Sequence, residues 1–543
     1  MPVLICPTAA NGDPVTEIAQ NPAPVDGAPP VEGAPVDGRP GAGGGTGGTS
    51  SDRRGPTPAD ATDDAPRTAA MTPRERLAVG LLLFSAFVVI LNETTMSVAL
   101  PPLMADLGIT AGTAQWVTTA FLLTMAVVIP MTGFILQRLG TRAVFLTAMT
   151  LFSAGTLLSA LAPVFAVLIA GRVVQATGTA IMMPLLMTTV MSVTPAASRG
   201  RTMGNISVVI SVAPALGPTL SGAVLAVLPW RGLFWLMLPI ALGALALGAL
   251  RLPDLTQPRP ARVDLLSVGV SAFAFGGLVY GLSQVGESAG HGNRAVAWGS
   301  IVVGLAALSF FIARQLRLQV EDRALLDLRT FTSPTFRLAV ALMGVSMMAL
   351  FGTIILLPLY AQDVLGLAPL QAGLLVLPGG LLMGVAAPFV GRAFDRVGPR
   401  PLLMPGTTLV ALATWGLATL SADSAPWLLL ACHVTMSGGL ALIFTPLFTS
   451  ALGSLSPRLY SHGSAVVGTV QQVAGAAGIA LFVMVMTLQS VRLTDRGASE
   501  VAATAGGIHT AFLVGAVIAT LAIPAALAFR APAPTPAPVT AGS

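Results

Sequence analysis

GFILQRLGTR at 133–142 and GRAFDRVGPR at 391–400 are two versions of one segment. Gly133 corresponds to Gly391, Arg138 to Arg396, Gly140 to Gly398, and Arg142 to Arg400. Each segment links two long apolar runs, 113–135 to 143–162 in the first case and 371–393 to 402–420 in the second. About 20 apolar residues, rising 1.5 Å each, cross the roughly 30 Å of bilayer hydrocarbon. The chain therefore reads as a membrane protein with a duplicated pair of helices joined by a basic, glycine-containing turn.

Working outward, further apolar runs lie at 77–98, 164–187, 203–226, 232–250, 265–284, 296–314, 336–358, 426–449, 464–489 and 508–529. With the four above, that makes fourteen spans. The break between 143–162 and 164–187 rests on Ala162-Pro163 alone, and counts of twelve or thirteen stay open. Aligning the repeats sets spans 1–6 against spans 9–14, with spans 7 and 8 between. The expected organisation is a six-helix bundle over 71–251, a linker with two extra spans over 252–335, and a second six-helix bundle over 336–530. Duplicated halves of this kind are the usual architecture of alternating-access carriers.

Composition points the same way. Only 9% of the 543 residues are charged, where a soluble domain carries about 25%, and the mean hydropathy is +0.81. There is no lysine. Starting the first span in the cytoplasm puts nineteen arginines of residues 71–543 inside, among them Arg74, Arg199, Arg259, Arg262, Arg323, Arg458 and Arg530. Only Arg231, Arg294, Arg492 and Arg496 fall outside. That bias is the positive-inside rule, and a single missed helix would invert every later loop. Both termini are therefore expected in the cytoplasm. The arginines are scattered between spans and form no basic face, so the net charge of +5 does not indicate nucleic acid.

Residues 1–70 are rich in Pro, Gly and Ala, hold nine acids and four arginines, and are expected to be a disordered cytoplasmic tail. They lack the basic start and apolar core of a signal peptide. Met71 opens MTPRERLAV beside the first span and reads as an alternative start, with a genuine acidic tail as the rival reading. Residues 531–543 are expected to be a second disordered tail. The two cysteines, Cys6 and Cys432, suggest no disulfide framework.

Further motifs carry a resemblance. LNETTMSVALP at 91–101, WVTTAFLLTMAVVIPMTG at 116–133, AGRVVQATGTA at 170–180, PALGPTLSG at 214–222 and WRGLFWLMLP at 230–239 occur in that order, and DLLSVG enters the seventh span. Together with the two decapeptides they resemble the major facilitator superfamily, in its fourteen-helix drug:proton antiporter branch, over about residues 75–530. The resemblance implies a multidrug efflux antiporter that works by alternating access. It also implies that the decapeptides are cytoplasmic gate loops, and that Gly217, Pro218 and Gly222 form the fifth-helix face that seals the pathway against leak. Generic helix packing is the plainer reading of those three. The chain departs from the pattern at Asn92, where the branch has Asp with Glu93 now beside it, at Ser97 for Asn, at Gln137 for the first gate Asp, and at Ser221 for Gly. The second gate loop keeps Asp395. Moving the acid by one position turns it by about 100° around the helix.

Glu93 is the carboxylate placed well within a span, and Arg172 the arginine so placed. Ionisable groups at such depth are costly and usually face the bundle interior or a water-filled path. Counted from the outer ends of their spans, Glu93 lies about 8 Å down and Arg172 about 12 Å down. The two are read as the proton-coupling pair, joined directly, through water or through Gln175. A static structural pair is the alternative. The gating residues are read as Gly133, Arg138, Gly140, Arg142, Gly391, Asp395, Arg396, Gly398 and Arg400. Asp264 is read as a helix cap. Asn92, Trp116, Phe121, Gln175, His433 and Gln471 are offered as cavity or substrate contacts, with packing or substrate contact favoured for His433 over a proton-relay role.

No stretch reads as a Gly-rich loop ending in Gly-Lys-Ser or Gly-Lys-Thr, so ATP-driven transport by this chain is disfavoured. No metal cluster or nucleophile–base–carboxylate set is visible. The reading is of a transporter, not an enzyme, with no cofactor. It is placed multi-pass in a bacterial plasma membrane as a monomer, with small molecules, protons and the bilayer as partners. Proton-coupled export of amphiphilic or cationic drugs leads. A carrier of the same fold for a specific antibiotic, metabolite or lipid precursor is the second reading. A non-transporting sensor or scaffold is a third, and it would not need matched gate loops.

Overall fold

The computed structural model describes residues 71–255, 264–288, 294–421 and 424–529. The two expected tails, Arg259, Arg262 and Arg530 lie outside the described residues. Among the described residues the protein is helical, without strands. In chain order the helices are α1 (Pro73–Leu107), α2 (Ala111–Arg138), α3 (Thr141–Ala160), α4 (Phe165–Val193), α5 (Arg199–Leu225), α6 (Arg231–Arg251), α7 (Leu265–Ser271) and α8 (Gly277–Ser288). They continue with α9 (Arg294–Leu318), α10 (Pro334–Leu359), α11 (Pro369–Val397), α12 (Arg400–Leu417), α13 (Pro426–Gly453), α14 (Tyr460–Asp495) and α15 (Glu500–Leu527). A π-helical turn, Ala272–Gly276, joins α7 to α8, so the seventh apolar run is one continuous but distorted helix.

Thirteen of these helical segments are long and apolar enough to cross a membrane. The run read at 402–420 coincides with α12, which is not among the thirteen. Its 18 residues span about 27 Å and include Arg400, Pro401, Pro405 and three threonines. The fold is therefore an all-α polytopic membrane fold. Boundaries move where local chemistry competes with hydropathy. The first span, read as 77–98, runs on through Pro101 and Pro102 to a stop at Gly108, which adopts φ +61°. Its start is set by a capping box in which the Thr72 hydroxyl accepts from the Glu75 amide and the Thr72 amide donates to the Glu75 carboxylate. The run read as 464–489 is α14, 36 residues long, about 54 Å.

Without a hydrophobic drive between helices in lipid, close approach through small residues holds them together. At Gly178 of α4, an added Cβ would lie 2.7 Å from the Phe152 amide nitrogen of α3. Gly406 of α12 approaches Gly439 of α13 in the same way. Helix α1 packs on α2, α4, α5 and α6, and α3 on α4 and α6. Helix α10 packs on α13, α14 and α15, and α12 on α13 and α15. The two groups meet where α11 and α13 lie on α5 and where α14 lies on α2 and α4. Helix α9 packs on α8 and turns exposed Trp298, Val302, Val303 and Phe310 outward, a surface suited to lipid.

Asp264 is not the helix cap that its position suggested. It sits at the cap position but makes no cap hydrogen bond. Its carboxylate instead receives both Arg314 Nε (2.7 Å) and Nη2 (2.8 Å), and the Ser267 hydroxyl. The Arg314 bonds hold this carboxyl down at about 2. The pair contributes fully above the ordinary carboxylate range and is lost only as the pH falls through about 2. Beside it, Gln315 is fully buried, donates to Ser267 Oγ at 2.8 Å and accepts the Leu325 amide at 2.8 Å. Together these two residues fasten the segment after α9 to the start of α7.

Candidate functional site

Helix α4 brings Arg172 into the first group of helices with no exposed surface. Its Nη1 donates to Gln175 Oε1 at 2.6 Å, its Nε reaches the Val117 carbonyl at 3.5 Å, and the guanidinium lies 4.1 Å from the centre of the Phe121 ring. Gln175 in turn donates to Thr156 Oγ1 of α3 at 2.7 Å. Glu93, half-buried on α1, is the charge that acts on Arg172 across this space, and Arg172 acts on Glu93. No ion pair within 4.0 Å joins them. Asn92 beside it is almost wholly buried, and its Nδ2 has no partner.

The backbone around Glu93 is shaped by its neighbours. The Thr94 hydroxyl donates to the Leu91 carbonyl at 3.1 Å and the Thr95 hydroxyl to the Asn92 carbonyl at 2.9 Å. Such back-bonding tends to bend a helix. Gly217 of α5 lies against this point, and an added Cβ would overlap the Thr94 hydroxyl. Gly222, one turn further, has open space around it. Pro218 lies between them within α5.

Other residues offered as contacts lie elsewhere. Trp116 is 40% exposed and stacks on Tyr280 of α8, with ring centres 5.9 Å apart. His433 of α13 lies against Gly379 of α11 and pairs its Nε2 with the Val376 carbonyl at 3.2 Å, leaving Nδ1 buried without a partner. Gln471 is half-buried on α14. Phe121 and Gln175 do gather at Arg172. Sequence reading missed Thr156, although Ser153, Thr156 and Ser159 recur at every third residue of an apolar run and are all buried, Thr156 and Ser159 against α4. That spacing was the available signal.

The two decapeptides occupy equivalent places. At the end of α11, the Asp395 carboxylate accepts the Gly200 amide at 2.7 Å and the Arg201 amide at 2.8 Å, both in the first turn of α5. A carboxylate is favoured at a helix N-terminus, where amides lack partners and the dipole is positive. Gly391 lets the two backbones touch, since an added Cβ would overlap the Gly200 carbonyl. At the end of α2, Gln137 donates to the Arg458 carbonyl just before α14 at 3.2 Å, and Gly133 lies against His462. The Arg142 amide donates to Asp254 at 3.0 Å, and its guanidinium donates to the Ala249 carbonyl of α6 at 2.6 Å, with Gly140 beneath the Asp254 carboxylate. Gly398 ends α11 at φ +77°, a conformation that favours glycine. Arg138, Arg396 and Arg400 are exposed and form no ion pair among the described residues.

More polar pairs cross between the two groups of helices at this same end. Thr188 meets Ser464 at 2.8 Å, Thr445 donates to Ser207 at 2.8 Å, and Arg199 donates to the Tyr460 hydroxyl at 3.1 Å. The deepest is Gln472 Nε2 to Met125 Sδ at 3.6 Å, near the middle of both helices. The other end is tied within the first group instead, where Asp106 accepts from Arg231 at 2.6 Å and from Trp230 at 3.0 Å. The arrangement is a seam closed at the decapeptide end, with a carboxylate and a buried guanidinium in the helices beyond it.

This chain belongs to the Major Facilitator Superfamily, whose family profile matches residues 82–479. It is 40% identical to the uncharacterized MFS-type transporter YcnB of Bacillus subtilis, over 81% of this chain and 92% of that protein. It is 38% identical to the lincomycin resistance protein LmrB of Listeria monocytogenes, over 83% of this chain and 96% of that protein. Among solved structures it shares the fold of the human organic anion transporter MFSD10 (TETRAN), with a TM-score of 0.61 at 16% identity, covering 84% of this chain and 100% of that one. The protein is thus a multi-pass membrane protein of a transporter family, with bacterial relatives.

Proposed function

We propose that the protein is a proton-coupled exporter of amphiphilic or cationic drugs across a bacterial plasma membrane. The observation that carries this reading is Glu93, a half-buried carboxylate within α1 that feels the charge of the buried Arg172 but forms no ion pair with it. Such a group can hold a proton or a cationic ligand, but not both. The kinship with a lincomycin resistance protein supports drug export as the direction of transport. Helices α1–α6 and α10–α15 act as two six-helix bundles, and α7–α9 form the two extra spans of the fourteen-helix branch. The Asp395 and Gln137 contacts close the cytoplasmic end, Gly217 keeps α5 tight on α1, and His433 and Gln471 line the path in the second bundle. The chain works as a monomer.

Reconstitution tests this directly. Proteoliposomes carrying the full chain, with an imposed pH gradient, are expected to accumulate ethidium or lincomycin and to release protons when the drug is added. Drug movement that ignores the gradient would leave a carrier without proton coupling. Orientation has its own check. In a cysteine-free background, Val227→Cys, in the exposed turn between α5 and α6, should react with an impermeant maleimide from outside. Arg323→Cys, after α9, should react only once the cytoplasmic face is opened. Reversed labelling at either position would overturn the topology.

A further inference from the structure

Two opposite charges in a poorly solvated helix bundle attract strongly, and nothing in Coulomb's law keeps them apart. Yet Arg172 does not close on Glu93. We propose that Thr156 and Gln175 are positioning residues that hold the Arg172 guanidinium off the Glu93 carboxylate, so that the carboxylate stays open to a proton or a cationic ligand. This rests on the reading of Glu93 as the exchange group, and it adds a residue of α3 that the motifs do not contain.

The direction of the hydrogen bonds makes the lock specific. The Thr156 hydroxyl donates to the Phe152 carbonyl at 2.7 Å. With its proton committed there, the hydroxyl offers only lone pairs, and it accepts Gln175 Nε2 at 2.7 Å. That turns Oε1 of the amide the other way, where Arg172 Nη1 donates to it at 2.6 Å. The opposite orientation would face the amide NH2 against a guanidinium that has donors and no acceptors. Thr156, Gln175 and Arg172 are all fully buried, so water does not readily replace any link. Phe121 lies under the guanidinium and favours the same position. Among the described residues Arg172 is the charged group that acts on Glu93, and Glu93 the one that acts on Arg172. No other titratable side chain of α2, α4, α5 or α6 enters. If the lock opens, the guanidinium is free to pair with the carboxylate and hold it ionised.

The readout is the infrared band of the protonated Glu93 carboxyl, assigned by its loss in Glu93→Gln and titrated on the full purified chain. In Thr156→Val, which keeps the shape but cannot accept from Gln175, the band should appear at a pH lower by about one unit, the effect of a newly formed ion pair. Thr156→Ser restores the acceptor and should titrate with the parent. Gln175→Met removes the other link and should shift as Thr156→Val does, so the test survives poor folding of either variant. Parent-like titration in Thr156→Val and Gln175→Met would overturn the proposal. A shift in Thr156→Ser as large as in Thr156→Val would also overturn it, because packing and not the hydroxyl would be responsible. A band absent from every variant would remove Glu93 as a titrating group and the proposal with it. Failure of the transport reading looks different: Glu93→Gln would keep drug-driven proton release while the titration differences stood.

Discussion

Glu93→Gln is expected to reduce drug-driven proton release to that of protein-free vesicles. Glutamine keeps the size of the side chain and its hydrogen bonding, so the seam and the α1–α5 contact should survive. It cannot take up or lose a proton. Arg172 then remains buried with no opposite charge acting on it, since Glu93 supplies the attraction it feels. Exchange requires that either ligand allow reorientation and that the empty, charged carboxylate forbid it. A permanently neutral residue removes that condition, so drug should still cross downhill while accumulation against a gradient is lost. Glu93→Asp keeps the charge on a shorter arm and should retain part of the activity. The measurement is proton release on drug addition, at matched protein amounts, beside downhill drug flux in the same vesicles. Full proton release from Glu93→Gln would move the search to His433 or to a mechanism without an acid inside the bundle.

Gly391→Ala should have the next largest effect, from a single methyl group. That methyl would overlap the Gly200 carbonyl and lie 3.1 Å from Gly204 Cα, both backbone atoms that cannot turn aside. Overpacking of this kind costs about 1–3 kcal/mol. The cost falls on the closed seam alone, so it should shift the balance between closed and open forms by about 5- to 150-fold. Turnover should fall while drug affinity measured at equilibrium changes little. Gly222→Ala is the matched control, because nothing lies within 4 Å of the added carbon. Equal turnover in the two variants would mean that the α5–α11 contact does not open during transport. Cross-linking of Ser207→Cys on α5 to Thr445→Cys on α13, whose hydroxyls lie 2.8 Å apart across the seam, with and without drug, would report its opening independently.

Much of this molecule is legible from its sequence because hydropathy in a membrane protein acts over twenty residues at a time. Each apolar run falls on a helix, and the paired decapeptides fall at equivalent seams. What hydropathy does not encode is the partner of a polar side chain. Asp264 has the right position and residue type for a cap, yet Arg314, fifty residues away, provides two charged hydrogen bonds where the helix would provide one neutral amide. Trp116 lies in a motif but stacks on Tyr280 of a helix outside that motif. The Arg172–Glu93 relation was readable as scarcity, since few charges lie within the spans, but its geometry was not. The interval between the two side chains depends on Thr156, a residue with no motif around it. Helix α12 shows the opposite limit, where prolines and threonines dilute a run that packing on α13 and α15 still folds as a helix.

The two sides of the seam are fastened by unlike means. On one, the Asp395 carboxylate grips two amides of α5, while on the other Gln137 offers a single neutral bond next to α14. Helix α8 touches both α2 and α14 further along, in the half of α2 that holds Trp116, with Gly276 of the adjoining π turn against Val127, about 15 Å along α2 from Gln137. The inserted hairpin is therefore set like a hinge plate: it joins α2 to α14 away from the decapeptide end and not across the Gln137 bond. With a single neutral bond on the α14 side and a doubly held carboxylate on the α5 side, the mouth should gape from the Gln137 corner before it parts along its length.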